Sequence, residues 1–324
     1  MSNSPLVSIG LPVFNRQKFI GQSIKSILNQ THSNLELIIY DDFSTDKSWD
    51  IISGFKDQRI QAIKGKSNLG PPTPLNKILE LAKGEYFIYL GDWDYVEPDL
   101  LANCIEAFAR NPNISFVYPA ADLVSHDNNS FEDLYSPFKK MNNGQHYIKS
   151  YLGQFSNFSC CFHPHSLFKV SDIKKRKKIY NDKYNVFSDV DLTLYALNLR
   201  ESFIFLPKIL VHIRQRDPNH FISKDAVRSV QWLYLINIDF IKNNCPWNIY
   251  LRILVFIKKE IHLFFAALIE SINHVEFTNA FEHIKKIETK NVFSVSIFLM
   301  KFKILFYIIF ILCKFFHSRQ KNLQ

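Results

Sequence analysis

Short apolar runs alternate with helically spaced apolar positions along the first 120 residues. The runs have the length and the β-branched and aromatic content of buried strands, and they cover residues 7–14, 35–40, 59–65, 85–90 and 114–119. Between them, apolar side chains recur every three or four residues, which predicts one helix per interval. Strands that alternate with helices in this way indicate an α/β fold, with a mostly parallel central sheet flanked by helices.

The third predicted helix carries the clearest end signals. Thr73 is the expected N-cap, because its hydroxyl can accept a hydrogen bond from the first turn, and Pro74 suits the first helical position. Gly84 is the expected C-cap, since glycine readily adopts the left-handed conformation in which many helices end. These signals predict a helix over residues 74–84.

Polar clusters follow three of the predicted strands. They read "FNR" at 14–16, "DDFS" at 41–44 and "GDWD" at 91–94. The carboxyl ends of parallel strands meet at one edge of a sheet, where the ligands of such folds bind. We therefore expect the three clusters to border a single site.

Asp92 and Asp94 flank Trp93 in the last of these clusters. Carboxylate oxygens are the ligands that Mg²⁺ and Mn²⁺ prefer, and such ions commonly carry phosphates. Two carboxylates that diverge in a turn could reach one ion directly or through water. The alternative is a hydrated turn ahead of the helix that starts at Asp99.

The C-terminal part of the chain differs in charge and pattern from the rest. From residue 241 onward there are 12 Lys and Arg against 5 Asp and Glu, so +7 of the total charge of +9 lies there. The apolar run 304–313 is shorter than the ~20 residues that span a bilayer. Phenylalanines recur every four residues in one stripe of a predicted helix, at Phe298, Phe302, Phe306 and Phe310.

An apolar stripe with basic flanks predicts a helix that lies in the headgroup region of an anionic membrane leaflet. The alternatives are a helix packed on its own domain and a re-entrant or tilted span. The composition changes near residue 223. We therefore divide the chain into a domain of residues 1–223 and a helical, basic and aromatic region of residues 224–324.

Other features exclude several classes of function. Residues 1–240 carry only +2 of the net charge, which argues against nucleic acid as a partner. Five scattered cysteines and an N-terminus without a secretory pattern indicate a reduced, cytoplasmic setting. The turn after the first strand lacks the GxGxxG of a dinucleotide-dependent oxidoreductase and the glycine-rich basic loop of a nucleotidyltransferase.

Five stretches of the sequence resemble the family-2 glycosyltransferases, inverting enzymes with the nucleotide-binding fold called GT-A. In family order they read "VSIGLPVFNR", "SILNQTHSNLELIIYDDFSTD", "NLGPPTPLN", "AKGEYFIYLGDWDYVEPD" and "FSDVDLTLYAL". Together they cover about the first 215 residues. The resemblance implies a nucleotide-sugar half over residues 1–120 and an acceptor half over residues 121–223.

The resemblance also implies roles for individual residues. Asp42 would accept a hydrogen bond from the base, as family members do with uracil, and Asp41 lies beside it. Asp189 would activate the acceptor; a helix N-cap is its alternative role, and Asp191 is the neighbouring rival. Apart from the resemblance, Arg214 follows a predicted strand and could meet the diphosphate, although a solvated loop is at least as compatible with its position. The remaining donor-binding residues would be Pro12, Phe14, Asn15, Arg16, Asn68, Gly70 and Asn76.

Two departures from the family pattern bear on the chemistry. Counting back from Pro98, Trp93 occupies the column of the key metal-binding aspartate, so the site would be shifted by one residue or would bind metal weakly. Leu75 precedes Asn76 where the family usually carries an arginine. These departures keep open a second hypothesis, in which the chain is a non-catalytic GT-A-fold partner of an active transferase.

The sequence therefore predicts an inverting glycosyltransferase that depends on Mg²⁺ or Mn²⁺. It would move a sugar from a nucleotide-diphosphate donor, a UDP-sugar, to a glycan or lipid-linked acceptor in cell-surface polysaccharide synthesis. The C-terminal helices would hold it, as a cytoplasmic peripheral protein, at the inner face of the cell membrane.

Overall fold

The computed structural model describes the first 214 residues in segments, together with a few residues further on. The described residues are 4–125, 130–134, 165–176, 180, 188–200, 202–214, 236–237, 239–240 and 243–244, with only the backbone given at 130–134, 188 and 189. All of them belong to the first of the chain's two compact units, residues 1–262. The domain boundary predicted near residue 223 stays a prediction.

The described elements alternate between strands and helices, as the apolar pattern predicts. The strands are β1 Val7–Val13, β2 Leu35–Asp41, β3 Ile60–Lys64, β4 Tyr86–Tyr89, β5 Tyr95–Val96, β6 Phe116–Val124, β7 Ser130–Leu134, β8 Leu167–Lys169 and β9 Ile204–Arg214. The helices are α1 Ile20–Leu28, α2 Ser48–Gly54, α3 Pro72–Leu81, α4 Leu100–Arg110, α5 Val170–Ile173 and α6 Ser188–Leu199.

The strands form one sheet in the order β3-β2-β1-β4-β8-β6-β9-β5, with β7 paired to β6. The strands β3, β2, β1 and β4 run parallel, and β6 runs parallel to β9. The carboxyl ends of β2, β1 and β4 therefore lie side by side at one edge of the sheet. β5 continues from the segment after β4 and pairs with the end of β9 in antiparallel fashion.

Helices cover both faces of the sheet and bury its apolar side chains. α3 and α6 contribute buried residues to one core cluster, and α1, α2 and α4 contribute to the other. Successive side chains of β2 point to opposite faces of the sheet and so contribute to both clusters. Ile38 and Tyr40 lie in the first cluster, and Leu37 and Ile39 lie in the second. The predicted α/β fold is confirmed.

The ends of the third helix differ from the sequence prediction. α3 begins at Pro72, with Pro71 as its N-cap, so Thr73 lies inside the helix and does not cap it. The helix ends at Leu81, so Gly84 is not its C-cap. Gly84 is required for another reason: a Cβ atom there would lie 2.6 Å from the backbone nitrogen of Ser8. The prediction that Gly84 caps the helix is wrong, and the close approach of Ser8 is what requires glycine at this position.

Candidate functional site

The loops that follow β1, β2 and β4 are held together by hydrogen bonds. The backbone nitrogen of Asn15, after β1, donates to Ser44 Oγ, after β2, at 2.9 Å. The backbone nitrogen of Phe14 donates to Asp92 Oδ2, after β4, at 3.1 Å. The three polar clusters identified in the sequence therefore meet at the carboxyl edge of the sheet.

Further contacts fix the loop after β1 in detail. Asn15 has a positive φ of 54°, and its Oδ1 accepts a bond from the backbone nitrogen of Thr45 at 2.8 Å. The backbone nitrogen of Arg16 donates to Ser48 Oγ at 2.7 Å. Pro12 lies within β1, opposite Tyr40 of β2. The loop is thus positioned by its neighbours before any ligand is present.

Asp41 and Asp42, at the end of β2, serve different neighbours. Asp41 is fully buried and accepts a hydrogen bond from the Ser44 hydroxyl; burial raises its pKa, while the hydrogen bonds from Ser44 oppose the rise. Asp42 is also buried, and its carboxylate accepts bonds from the backbone nitrogens of Leu69 and Gly70 at 3.0 and 2.9 Å. Asp42 therefore anchors the loop that follows β3.

Two further donor-binding candidates take part in this region. Asn68 Oδ1 accepts a bond from the backbone nitrogen of Gly70 at 3.1 Å, and Gly70 has a positive φ of 77° that favours glycine. The Asn76 side chain instead binds the backbone of Tyr180, through bonds of 2.7 and 2.9 Å. In this arrangement Asn76 joins α3 to the second half of the domain.

Large apolar side chains are exposed around Asp42. Phe14, Phe43 and Leu69 are 38%, 45% and 50% exposed, and they make up three of the four large exposed apolar residues in the described part of the chain. Phe43 directly follows Asp42 and has a positive φ of 65°, which is unusual for a bulky residue. A buried carboxylate bordered by exposed apolar groups suits a flat ligand with a polar edge.

Asp92 lies close to Arg16. Its Oδ1 accepts a bond from Arg16 Nε at 3.1 Å, and the guanidinium also lies 4.2 Å from the centre of the Trp93 ring. The Asp92 side chain is only 14% exposed. Burial raises the pKa of Asp92 to about 6, and the positive charge of Arg16 opposes part of that rise.

Asp94 is turned into the protein interior. Its Oδ1 accepts a bond from the backbone nitrogen of Arg214 at 3.0 Å, and its Oδ2 lies 3.1 Å from His165 Nε2. Its backbone oxygen accepts a bond from the Ser23 hydroxyl at 2.6 Å. Asp94 thus fixes the path of the chain from β4 into β5.

A divalent ion fits this pair of carboxylates poorly. Asp94 is buried against His165 and the backbone of Arg214, so it does not face the same space as Asp92, and the positively charged guanidinium of Arg16 lies against Asp92. Trp93 supplies no oxygen ligand from its side chain. Within the described segments, no three His, Cys, Asp or Glu side chains are grouped so that they could hold a metal.

Arg214 lies inside the protein, behind the segment 91–94. It is 1% exposed, and its Nε donates to the backbone oxygen of Trp93 at 2.6 Å. Its guanidinium also donates to Gln22 and packs against the rings of Phe19 and Tyr95 at 4.7 and 5.3 Å. In this structure Arg214 holds the backbone of Trp93 from inside the protein, so the solvated loop that the sequence left open for it is not observed. A role for Arg214 at the diphosphate stays a prediction.

The acceptor-side carboxylates lie on α6. Asp189 belongs to this helix, together with Ser188, so neither residue precedes it as an N-cap, and the side chain of Asp189 lies outside the described set. Asp191 is buried, and its Oδ2 accepts a bond from Arg176 at 2.8 Å. Burial raises the pKa of Asp191, with Arg176 opposing the rise.

Sequence reasoning missed the residues that support the segment 91–94. His165 contacts Asp94, 71 residues away in the sequence. Gln22 contacts Arg214, which holds this segment, from 192 residues away. No local pattern marks such contacts, because they depend on how β5, β8 and β9 are placed in the sheet. Ser44 and Ser48 are polar positions in the sequence, but the sequence does not predict that their hydroxyls accept bonds from the loop after β1.

The parallel strands and the polar loops at their carboxyl edge are typical of an α/β fold that binds a nucleotide or a similar ligand there. Residues 8–176 match the family described as Glycosyl transferase family 2. This match covers more than half of the chain. The chain belongs to glycosyltransferase family 2, as its motifs predict.

One curated relative is the UDP-Glc:alpha-D-GlcNAc-diphosphoundecaprenol beta-1,3-glucosyltransferase WfaP of Escherichia coli. It is 39% identical over 113 residues, which are 35% of this chain and 45% of that protein. The chain thus spans about half the length of the curated relatives that it matches.

Solved structures confirm the fold. Staphylococcus aureus TarS 1–349 in complex with UDP-GlcNAc superposes with a TM-score of 0.57 at 18% identity, over 72% of this chain and 66% of that one. The mannosyltransferase PcManGT of Pyrobaculum calidifontis, in complex with GDP-Man and Mn²⁺, has a TM-score of 0.56 at 14% identity, over 94% and 81%. At these identities the likeness concerns the fold alone.

The membrane prediction concerns residues outside the described part. Phe298, Phe302, Phe306 and Phe310 all lie beyond it. Among the described helices, none has both the length and the apolar character that crossing a bilayer requires. The association of the tail with a membrane stays a prediction.

Proposed function

We propose that the chain is an inverting glycosyltransferase that uses a UDP-sugar as donor and acts in cell-surface polysaccharide synthesis. The acceptor is a glycan or a lipid-linked sugar, by analogy with the diphosphoundecaprenol-linked sugar named in the activity of the E. coli relative. The UDP-GlcNAc bound to the S. aureus neighbour supports a nucleotide-sugar donor in this fold.

The observation that supports this proposal is the buried carboxylate of Asp42 with exposed apolar side chains around it. A planar base would bind against the exposed side chains of Phe14, Phe43 and Leu69, with its polar edge towards the buried carboxylate. A carboxylate that faces the N3 position of the base accepts the proton that uracil carries there, whereas cytosine N3 is itself an acceptor and would have to give way to the N4 amino group.

Binding of UDP and CDP to the full chain, measured by calorimetry, tests the base assignment. The parent should prefer UDP, and Asp42→Asn should lose UDP affinity about tenfold and lose its preference over CDP, because the amide can donate to cytosine N3. Asp50→Asn, an exposed carboxylate on α2, is the matched control and should behave as the parent. An unchanged preference in Asp42→Asn would refute the role of Asp42.

In the proposed reaction Asp189 is the general base. It takes the proton of the acceptor hydroxyl while that oxygen bonds to the anomeric carbon, and the bond from this carbon to the nucleotide diphosphate breaks. Attack opposite to the leaving group inverts the anomeric configuration. The ion pair between Asp191 and Arg176 supports the choice of Asp189, since it gives Asp191 a structural partner.

A Mg²⁺ or Mn²⁺ ion would supply positive charge to the departing diphosphate. The sequence predicts such an ion, and the Mn²⁺ complex of the Pyrobaculum calidifontis neighbour supports it for the fold. Asp92 is the residue that would hold it here. Because the hydrogen bonds of Asp92 and Asp94 fit such an ion poorly, we assign no step to it. Metal dependence remains a prediction.

The C-terminal phenylalanine stripe is proposed to place the enzyme at an anionic membrane surface, where a lipid-linked acceptor lies. The full chain should sediment with phosphatidylglycerol vesicles and not with vesicles of phosphatidylcholine alone. Phe302→Ser combined with Phe306→Ser should reduce this binding, and equal binding to both lipid types would contradict the electrostatic part of the proposal.

A further inference from the structure

Arg16 is a fixed cation at the centre of the strand edge. Its Nε is bonded to Asp92 at 3.1 Å, its Nη1 donates to the backbone oxygen of Asn15 at 3.0 Å, and its plane lies over Trp93. These three contacts hold the guanidinium in one orientation. A cation that is positioned in advance loses little freedom when it binds an anion.

The guanidinium remains accessible to a ligand. The Arg16 side chain is 23% exposed, and no described residue accepts a hydrogen bond from its Nη2. It opens on a cleft of about 310 Å³ that is also lined by Asn15, Lys18, Asp46 and Trp93. Arg16 therefore presents N–H donors to a space large enough for a polar ligand group.

The position of Arg16 follows from the order of the strands. Asp42, Arg16 and Asp92 follow β2, β1 and β4, which are consecutive neighbours in the sheet. Adjacent strands are about 4.8 Å apart, so two steps across the edge cover roughly 10 Å. A nucleotide whose base lay at Asp42 and whose chain ran towards Asp92 would pass the loop after β1, which carries Arg16.

The charge requirement of the reaction points to the same residue. The departing nucleotide diphosphate carries at least two negative charges, which a cationic group at the site must stabilise. A guanidinium can do so through two parallel N–H bonds to phosphate oxygens. At the strand edge, one oxygen of Asp92 accepts a bond from Arg16 Nε and the other from Phe14 N, so the cation that the structure places against Asp92 is this guanidinium.

We propose that Arg16, oriented by Asp92 and Trp93, binds the diphosphate of the donor and takes the place of a divalent ion held by Asp92 and Asp94. This inference rests on the proposed function. It makes Arg16 the residue that binds the leaving group, with Asp92 as its positioning residue.

Calorimetric titration of the full chain with UDP and with uridine, in EDTA and in Mn²⁺, tests the inference. In EDTA the parent should bind UDP, and Mn²⁺ should change the affinity by less than about threefold. Arg16→Gln should weaken UDP about tenfold to hundredfold, as expected for bonds to a charged group, and leave uridine unchanged because uridine has no phosphate. Arg16→Lys, which keeps the charge but not the fork, should give an intermediate affinity for UDP.

Lys25→Gln is the matched control, since Lys25 is an exposed residue of α1 and its replacement removes the same charge elsewhere. UDP binding that requires Mn²⁺, or an equal loss of UDP and uridine in Arg16→Gln, would overturn the inference while leaving the proposed function intact. Absence of UDP and uridine binding under both conditions would overturn the proposed function itself.

Discussion

Replacing Asp92 with Asn should stabilise the protein near neutral pH. Burial raises the pKa of Asp92 from 3.8 to about 6, although Arg16 lowers it in part, and the side chain is 14% exposed. A carboxyl group with a higher pKa in the folded chain binds its proton more tightly there than in the unfolded chain. Its stabilising contribution is full below the unfolded value of 3.8 and is lost as the pH rises through about 6.

The magnitude follows from these two pKa values. The difference between 3.8 and about 6 corresponds to about 3 kcal/mol, at 1.36 kcal/mol for each pKa unit. This is the cost of the ionised carboxylate in the folded state at neutral pH. Asn avoids this cost, and its Oδ1 can still accept the bond from Arg16. Its Nδ2 is a donor and cannot accept the bond from the Phe14 nitrogen, and the loss of that bond lowers the stability by about 1 kcal/mol. The net gain is about 1–2 kcal/mol.

Urea unfolding followed by circular dichroism, near pH 7.5 and near pH 5, measures this gain. At the lower pH Asp92 of the folded parent is mostly protonated, so the difference in free energy of unfolding between Asp92→Asn and the parent should fall by about 1.4 kcal/mol. Other titrating groups are shared by both proteins and cancel in the comparison, and Asp50→Asn provides the control for an exposed carboxylate. An advantage that does not change with pH would refute the raised pKa.

The same substitution should weaken UDP binding, because Asn keeps an acceptor for Arg16 Nε but replaces the ion pair that holds the guanidinium with a weaker, neutral hydrogen bond. Opposite effects on stability and on affinity are common where a site keeps a costly charge for its function. If Asp92→Asn left UDP affinity unchanged, the carboxylate would have no part in positioning Arg16.

Three other substitutions test separate parts of the account. Asp189→Asn should lower kcat about 10²- to 10⁴-fold and leave UDP affinity unchanged, and equal rates would favour the non-catalytic partner hypothesis. Arg214→Met should lower the free energy of unfolding by about 3 kcal/mol or more, seen as a lower urea midpoint, since buried acceptors such as the Trp93 carbonyl lose their donor. Gly84→Ala should cost about 1–3 kcal/mol by the same measurement because of the clash with Ser8, whereas Gly54→Ala, with open space around it, should change stability by less than ~1 kcal/mol.

The periodicity of the sequence predicts β1 to β4, β6 and the helices between them, apart from the ends of α3 and the short strand β5. The β-rich runs and the helical spacing of α1 and α4 are local properties of the sequence. Polar residues that follow parallel strands lie at the same edge of the sheet, whichever side chains they contact there. The prediction that "FNR", "DDFS" and "GDWD" share one edge follows from this rule alone. The family assignment depends on the same motifs, since they are the segments that border the site.

The tertiary structure decided what each polar side chain does at that edge. Asp92 and Asp94 are equivalent in the sequence, two residues apart, yet one orients Arg16 near the cleft and the other is buried against His165 and the backbone of Arg214. The cause is β5, which pairs with the end of β9 and turns the chain after Trp93 into the interior. Hydrogen-bond partners more than 70 residues apart are set by strand order and register, which no local pattern of residues encodes.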